Sequence, residues 1–202
     1  MAAPDSFAFF PTSLGTCAIA WNRIGLTGVW LPDADAATLR RKVLRRCGAA
    51  AEAVPSGAAA EVVDAIVRLL AGERVDLSTV AIDRSAVDAF DRRVYDVTRT
   101  IAAGSVLTYG EVAARVGADA SARAVGQSLG RNAIPIVVPC HRVVASGGLG
   151  GFSAPGGAST KRRMLAIEDA RPTGPPGLFD AMPEERRDDD AAASGREARS
   201  GH

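Results

Sequence analysis

The residues of this sequence best suited to covalent chemistry are an adjacent cysteine and histidine, Cys140 and His141. They interrupt an apolar stretch that runs from Ile136 to Val144, and a short apolar run of this kind is typical of a buried strand or turn. Burial raises the pKa of a cysteine thiol, whereas a neighbouring base can make that thiol a nucleophile. The only other histidine, His202, ends the chain. The alternative interpretation is that Cys140 is one more buried core cysteine.

Charge is unevenly distributed along the chain, although the formal net charge is only +1. The segment 121–163 contains no acidic residue and has these basic ones: Arg123, Arg131, Arg142, Lys161, Arg162 and Arg163. A segment whose charged residues are all basic predicts a surface that binds an anion. The alternative is a chance run of basic residues on a solvated surface.

Strands and helices alternate in the first part of the chain. The predicted elements are an irregular start over residues 1–13, strands over 16–21 and 24–31, a helix capped by Asp35 and ended by Gly48, a loop over 49–60, a helix ended by Gly72 and a strand over 75–82. The mixture of both element types predicts a small α/β unit.

Helical spacing of apolar residues dominates from residue 85 onward. Thr108 and Glu111 form a capping-box pattern, and Ser121 is predicted to cap a second short helix soon afterwards. Two short helices joined by a glycine-containing turn indicate a helix-turn-helix. An ordinary helical hairpin is the alternative. A last helix is predicted to be capped by Ser159 and Thr160.

The predicted fold class is therefore α/β (α+β). A small N-terminal α/β domain over residues 14–84 follows the irregular start, and a mainly helical, winged-helix-like domain over 85–171 contains the helix-turn-helix. Residues 172–202 are rich in proline, alanine and charge and are predicted to be a disordered tail. The sequence has no apolar run of membrane-spanning length and no secretory signal pattern, and its three cysteines are widely spaced. We therefore expect a cytoplasmic protein without disulfides.

The motifs of the second half form a recognisable set. In chain order they are Thr108-Tyr109-Gly110-Glu111, Arg123-Ala124-Val125-Gly126, Arg131-Asn132 with Pro135, Val138-Pro139-Cys140-His141-Arg142-Val143-Val144, Gly151-Phe152-Ser153, and Lys161 with Glu168. In order and spacing this set resembles the O6-alkylguanine-DNA alkyltransferases, also called methylated-DNA–protein-cysteine methyltransferases. The resemblance spans about residues 86–170, and the N-terminal part is similar only in general layout.

The resemblance implies roles for four catalytic residues. Cys140 would accept the alkyl group, His141 would deprotonate it through a water molecule, and Glu168 would orient the imidazole. Asn132 would brace the turn that joins the helix-turn-helix to the cysteine segment. A thiolate suits this reaction, because displacement at carbon needs a soft nucleophile.

The resemblance also implies a base pocket. Tyr109 and Ser153 would donate hydrogen bonds to the guanine, and the carbonyls of Cys140 and Val143 would accept from its exocyclic amine. Phe152 stands where some members of the family carry a tyrosine, so ring stacking is retained and one hydroxyl is absent.

DNA contacts are implied for the second helix and its surroundings. The target atom lies inside the duplex, so the base must be flipped out, and Arg123 matches the family's arginine that fills the vacated stack from the minor groove. The small residues beside it would let the helix approach DNA closely, and the acid-free segment would supply phosphate contacts. The predicted DNA-binding residues are Ser121, Ala122, Arg123, Ala124, Gly126 and Arg131.

The predicted function is direct repair of duplex DNA containing O6-alkylguanine, and also O4-alkylthymine, by single-turnover transfer to Cys140. We expect a monomer that needs no cofactor, no metal and no membrane. Some relatives bind a structural zinc, but Cys17 and Cys47 lack accompanying histidines. A non-catalytic module that binds alkylated bases or acts as a regulator is one alternative, and an unrelated cysteine hydrolase is another.

Overall fold

The computed structural model describes residues 3–170, and the predicted tail over 172–202 lies outside the described residues. The elements in chain order are β1 (Ser6–Thr12), β2 (Gly15–Trp21), β3 (Leu26–Trp30), α1 (Ala36–Cys47), β4 (Ala51–Glu52), α2 (Ala58–Leu70), α3 (Ala89–Arg99), β5 (Leu107–Thr108), α4 (Tyr109–Val116), α5 (Ala122–Gly130), a 3-10 turn (Cys140–Arg142), β6 (Val143–Val144) and α6 (Gly157–Ile167). The predicted mixed α+β class is confirmed.

The first four strands form one sheet in the order β3-β2-β1-β4. β1, β2 and β3 pair antiparallel, whereas β4 pairs parallel to β1. Apolar side chains cover both faces. Cys17 and Ile19 share a core cluster with Ile66 of α2, and Ala18 joins a second cluster with Val43 of α1. The sheet is therefore a central layer between helices.

The prediction of an irregular start over residues 1–13 is wrong, because Ser6–Thr12 forms β1. Phe7 is buried in the cluster on the α1 side, and Phe10 is buried in the cluster on the α2 side. A strand buried on both faces shows no alternation of apolar and polar residues, so the period of two that signals a strand is missing.

The predicted strand over 75–82 is also wrong. This segment makes only an isolated bridge between Ile82 and Leu26 of β3. The guanidinium of Arg99 donates to the carbonyls of Leu77 and Val80, at 3.3 and 2.6 Å. A side chain thus satisfies backbone groups that a strand would pair with a neighbour.

The helix N-caps predicted from the sequence are observed in the structure, with one exception. Asp35 caps α1 and Ser121 caps α5, and Thr108 and Glu111 form the predicted capping box of α4. α6 begins at Gly157, however, two residues before the predicted cap at Ser159, and its N-cap Gly156 has φ +78°.

The last seven elements, from α3 to α6, pack around Cys140. α3, α4 and α5 pack together, and β5 pairs parallel with β6, which directly follows the cysteine turn. One apolar cluster runs from Ile19 and Val29 through Val94 to Cys140. The two predicted domains therefore share a core, and their division at residue 84 remains a prediction.

Candidate active site

Cys140 sits at the start of the 3-10 turn and is 7% exposed. The loop before it is compact: the amide of Val138 donates to the carbonyl of Ile134 at 2.9 Å, and the amide of Cys140 donates to that of Val138 at 2.7 Å. Ile136 in this loop is buried and has φ +74°. A β-branched residue rarely adopts that conformation, so the surrounding packing holds the loop in a strained shape next to the thiol.

Asn132 connects the end of α5 to this loop. Its Oδ1 accepts from the amide of Ile134 at 2.9 Å. Its Nδ2 donates to the carbonyl of Val138 at 2.9 Å and to Sγ of Cys140 at 3.3 Å. The side chain therefore holds both ends of the loop and contacts the sulfur itself.

Two opposing influences act on the pKa of the Cys140 thiol. Burial raises the pKa of its thiol, while the hydrogen bond from Asn132, the charge of Lys161 and nearby backbone amides act to lower the pKa. Burial dominates in the absence of a substrate. The thiol is thus protonated at neutral pH and needs a base to become a nucleophile.

His141 and Glu168 form a buried pair beside the cysteine. Nε2 of His141 lies 2.9 Å from Oε1 of Glu168, and both side chains are almost fully buried. Burial lowers the pKa of His141. Nδ1 of the imidazole is buried without a hydrogen-bond partner within residues 3–170. A neutral imidazole that donates through Nε2 keeps Nδ1 as an acceptor, which is the form required of a base.

Arg142 completes this network, a role that its position in the sequence motif did not reveal. Its Nε and Nη2 donate to Glu168 at 2.9 and 2.8 Å, and its Nη1 donates to the carbonyl of Ile101 at 2.6 Å. Burial by itself would raise the pKa of Glu168, but the hydrogen bonds and charges of His141 and Arg142 lower that pKa to about 2. Because Arg142 balances the carboxylate, His141 has no need to be protonated.

Lys161 of α6 lies near the same site, against the backbone of Val143 and Gly151. Its ammonium donates to the carbonyls of Val143 and Gly151, at 2.7 and 3.1 Å, and lies 5.7 Å from the ring centre of Tyr109. The residue is fully buried. Burial lowers the pKa of Lys161 to about 8, and the proximity of Cys140 acts against that shift.

A cavity of about 550 Å³ opens between α5 and the cysteine turn. The residues around it are Tyr109, Ala122, Arg123, Gly126, Leu129, Gly130, Cys140, Gly151, Phe152 and Ser153. Tyr109 donates to the carbonyl of Gly151 at 3.3 Å, and burial raises the pKa of its phenol, so it remains a donor at neutral pH.

The carbonyls predicted to bind an exocyclic amine already have donors. That of Cys140 accepts from the amide of Val143, and that of Val143 accepts from Lys161. A carbonyl oxygen has two lone pairs, so each retains capacity for a second donor.

The predicted DNA-binding residues lie in different environments: some line the cavity, one caps a helix and one forms an ion pair. Arg123 is exposed at the rim of the cavity together with Ala122 and Gly126. Ser121 accepts from the amide of Ala124 as the cap of α5. Arg131 makes a two-pronged ion pair with the buried carboxylate of Asp91.

The acid-free segment is not one anion-binding surface, and that prediction is wrong. Arg142 and Lys161 are buried, and Arg163 donates to the carbonyl of Ser13 at 2.5 Å. The basic residues lie on a helix, a turn and another helix, so proximity in sequence did not place them on one face.

Within residues 3–170 no cluster of histidine, cysteine, aspartate and glutamate is arranged to hold a metal ion. In the same range no helix combines the length and the apolar character needed to cross a bilayer.

The helices α4 and α5 flank a cavity lined by Cys140 and the exposed Arg123, and His141 is buried beside that cysteine. This arrangement indicates a DNA-binding protein with a thiol as its reactive group. A family profile described as "6-O-methylguanine DNA methyltransferase, DNA binding domain" matches residues 89–170. Proteins named methylated-DNA–protein-cysteine methyltransferase are similar to the chain. The one from Mycobacterium tuberculosis is 42% identical over 125 residues, which are 61% of this chain and 73% of that protein. The one from Methanopyrus kandleri is 44% identical over 106 residues, covering 52% and 77%, and the one from Methanothermobacter thermautotrophicus is 42% identical over 115 residues, covering 56% and 63%.

Solved structures agree. The Mycobacterium tuberculosis OGT in complex with DNA superimposes with a TM-score of 0.64 at 30% identity, covering 81% of this chain and 92% of that one. The O6-methylguanine-DNA methyltransferase from Pyrococcus kodakaraensis gives a TM-score of 0.62 at 29% identity, covering 80% and 98%. The chain belongs to the methylated-DNA–protein-cysteine methyltransferase family, whose activity is alkyl transfer in DNA repair.

Proposed function

We propose that this protein repairs duplex DNA by moving an alkyl group from O6 of guanine onto Sγ of Cys140. The observation that carries the proposal is the position of Cys140. It lines the cavity together with Tyr109 and Arg123, its Sγ accepts a hydrogen bond from Asn132, and it directly precedes His141, which pairs with Glu168. A reactive thiol, a base and an arginine-bearing helix thus converge on one opening.

The reaction is an in-line displacement at the alkyl carbon. The thiol proton passes to Nδ1 of His141 through a water molecule, and the thiolate attacks the carbon as the bond to O6 breaks. The departing guanine takes up negative charge, which the hydroxyls of Tyr109 and Ser153 stabilise until the base takes a proton from water. The imidazolium of His141 returns the thiol proton to water, so the exchange of protons balances. The charge of Glu168 stabilises the imidazolium that forms.

The product is a thioether, and nothing in the proposed site cleaves it. Each molecule therefore acts once. The proposed reaction uses one copy of the chain and no cofactor. O4-alkylthymine presents the same kind of alkyl–oxygen bond and is the second expected substrate.

Base access depends on α5. We infer that Arg123 enters the stack as the base rotates out, while Ala122, Ala124 and Gly126 allow close approach of the helix. Extrusion of a paired base costs a few kcal/mol, and a side chain that fills the gap offsets part of that cost.

The test is the intact mass of the protein after mixing with a short duplex that contains O6-methylguanine. We expect the wild-type chain to gain the mass of one CH₂ unit and Cys140→Ala to gain nothing. Arg123→Ala should react at least about tenfold more slowly with the duplex, because the flipped base is less stabilised, yet react normally with free O6-benzylguanine base. Arg115→Ala, which changes an exposed arginine of α4 outside the cavity, is the matched control.

Two results would reject the proposal. Binding of alkylated duplex without any mass gain would favour the non-catalytic module. Repeated turnover of a substrate without loss of the thiol would favour a cysteine hydrolase.

A further inference from the structure

A second cavity of about 400 Å³ reaches Cys140 from the side of the N-terminal sheet. It lies against β3 and α1. Three of its residues, Cys140, Phe152 and Ser153, also line the cavity of about 550 Å³ between α5 and the cysteine turn, here called the base cavity. The acceptor cysteine therefore stands between two open volumes, and the proposed repair reaction uses only one of them.

The geometry of the displacement reaction requires space beside the sulfur for any substituent larger than methyl. In the transition state, sulfur, carbon and oxygen lie on one line, and the other three groups on the carbon lie in the plane across it. A methyl group carries only hydrogens in that plane. Any longer substituent must extend sideways from the line, so it needs space beside the sulfur and apart from the base.

The second cavity has the size and the walls for such a substituent. Its apolar walls come from both halves of the chain: Val29, Trp30 and Leu31 on one side and Pro135, Phe152, Ala154 and Pro155 on the other. A cavity of about 150 Å³ is enough to hold benzene. A substituent as large as a benzyl group therefore fits in a volume of about 400 Å³.

The walls are held together by contacts between β3 and the loop before the cysteine. The amide of Val29 donates to the carbonyl of Ala133 at 2.9 Å. The ring of Trp30 lies over Gly28, where a Cβ would be 2.7 Å from the ring. The strand and the loop thus form one wall, with no side chain at Gly28 to displace the indole.

The outer part of this cavity is basic. Lys42, Arg45 and Arg46 of α1 line it, together with a single acidic residue, Asp33. Lys42 and Asp33 form an ion pair. Arg45 is exposed and makes no hydrogen bond or ion pair with any other residue of the described range. The lining has an excess of positive charge, which attracts an anionic group.

We propose that the basic outer part of the second cavity makes this protein favour bulky O6-alkyl groups that end in a carboxylate. This inference rests on the proposed function, because it concerns the same transfer to Cys140. The apolar walls receive the carbon chain or ring, and Arg45 and Arg46 attract the anionic end.

The experiment compares single-turnover rates on three duplexes that carry O6-methylguanine, O6-(para-carboxybenzyl)guanine or O6-(para-carbamoylbenzyl)guanine. The last two probes have nearly the same shape and differ in charge. We expect the carboxylate to react about fivefold faster than the amide in the wild type, a ratio typical of one or two partly exposed charge contacts, and the ratio to fall with added salt. In Arg45→Gln/Arg46→Gln the ratio should approach one while the methyl rate is unchanged. Arg41→Gln, on the same helix but outside the cavity, should behave as the wild type.

Two outcomes would contradict the preference for anionic substituents, and a third would contradict the proposed function. Equal rates for carboxylate and amide in the wild type would show that the basic residues do not meet the substituent. An equal loss of rate on all three duplexes in the double variant would show that the arginines contact the DNA backbone instead. Absence of methyl transfer in the wild type would reject the proposed function itself, which the O6-methylguanine arm reports separately.

Discussion

Two buried cations lie near the acceptor cysteine, and they differ in how their charge is balanced. Arg142 is paired with Glu168 by two hydrogen bonds. Within residues 3–170, the hydrogen bonds of Lys161 go to two carbonyls, those of Val143 and Gly151. Its charge is therefore available to favour the thiolate, at the cost of burying an ammonium.

Replacing Lys161 should change the pH dependence of the reaction. Lys161→Met removes the charge and keeps an unbranched side chain, so the pKa of Cys140 should rise and transfer at pH 7 should slow about tenfold for each unit of that rise. Lys161 has a pKa of about 8. The wild type keeps its advantage below that pH and loses it above, as its own ammonium deprotonates.

The measurement is the single-turnover rate of methyl transfer from pH 6.5 to 9.5 in both proteins. Arg162→Met removes the neighbouring exposed charge on α6 and serves as the control. If the ratio of wild-type to variant rate stays constant with pH, Lys161 acts only by holding the carbonyls of Val143 and Gly151, and its electrostatic role is excluded.

The start of α4 positions Tyr109 in one wall of the base cavity. Tyr109 is the first residue of α4, directly after the capping box. Thr108 accepts from the amide of Glu111 at 3.1 Å, and its own amide donates to the Glu111 carboxylate at 2.6 Å. The cap therefore fixes both the helix end and the backbone from which the phenol projects.

Removing the cap hydroxyl should weaken both stability and repair. Thr108→Val should lower the free energy of unfolding by about 1 kcal/mol, which corresponds to a fall in Tm of about 2–4 °C. Transfer from duplex DNA should slow as Tyr109 loses its fixed position. Calorimetry and the single-turnover assay measure the two effects. Glu111→Gln is the control, since glutamine also suits the capping box, and an equal loss in that variant would contradict the explanation.

A single apolar core joins the two predicted domains, residues 14–84 and 85–170. Val29 of β3 and Ile66 of α2 belong to the same apolar cluster as Val94 and Cys140. The backbone contact between Val29 and Ala133 crosses the same boundary. The two halves therefore depend on each other for burial of their apolar surface.

This shared core predicts one cooperative unfolding transition. Both tryptophans, Trp21 and Trp30, lie in the N-terminal strands, whereas far-UV circular dichroism reports helices of both halves. The urea midpoints from tryptophan fluorescence and circular dichroism should therefore coincide. Two separated transitions would show that residues 14–84 and 85–170 unfold as independent domains. Cys47→Ala, in the smaller cluster around α1, should move both midpoints together.

The features that depend on neighbours along the chain could be predicted from the sequence. The caps at Asp35, Thr108 and Ser121, the periodicity of the helices and the family motifs around Cys140 all involve residues a few positions apart. Interactions of this range are encoded in local spacing, so they can be recognised before any fold is known.

The burial of charges and the covering of strand faces depend on contacts between distant segments, so they became visible only in the folded chain. Arg142 reaches Glu168 across 26 positions, and Arg131 reaches Asp91 across 40, so neither pair has a local signature. The strand at Ser6–Thr12 is hidden from sequence analysis because helices cover both its faces, which removes alternation. The second cavity beside Cys140 arises where β3 and α1 meet the loop of Pro135, and its walls exist only after distant segments pack together.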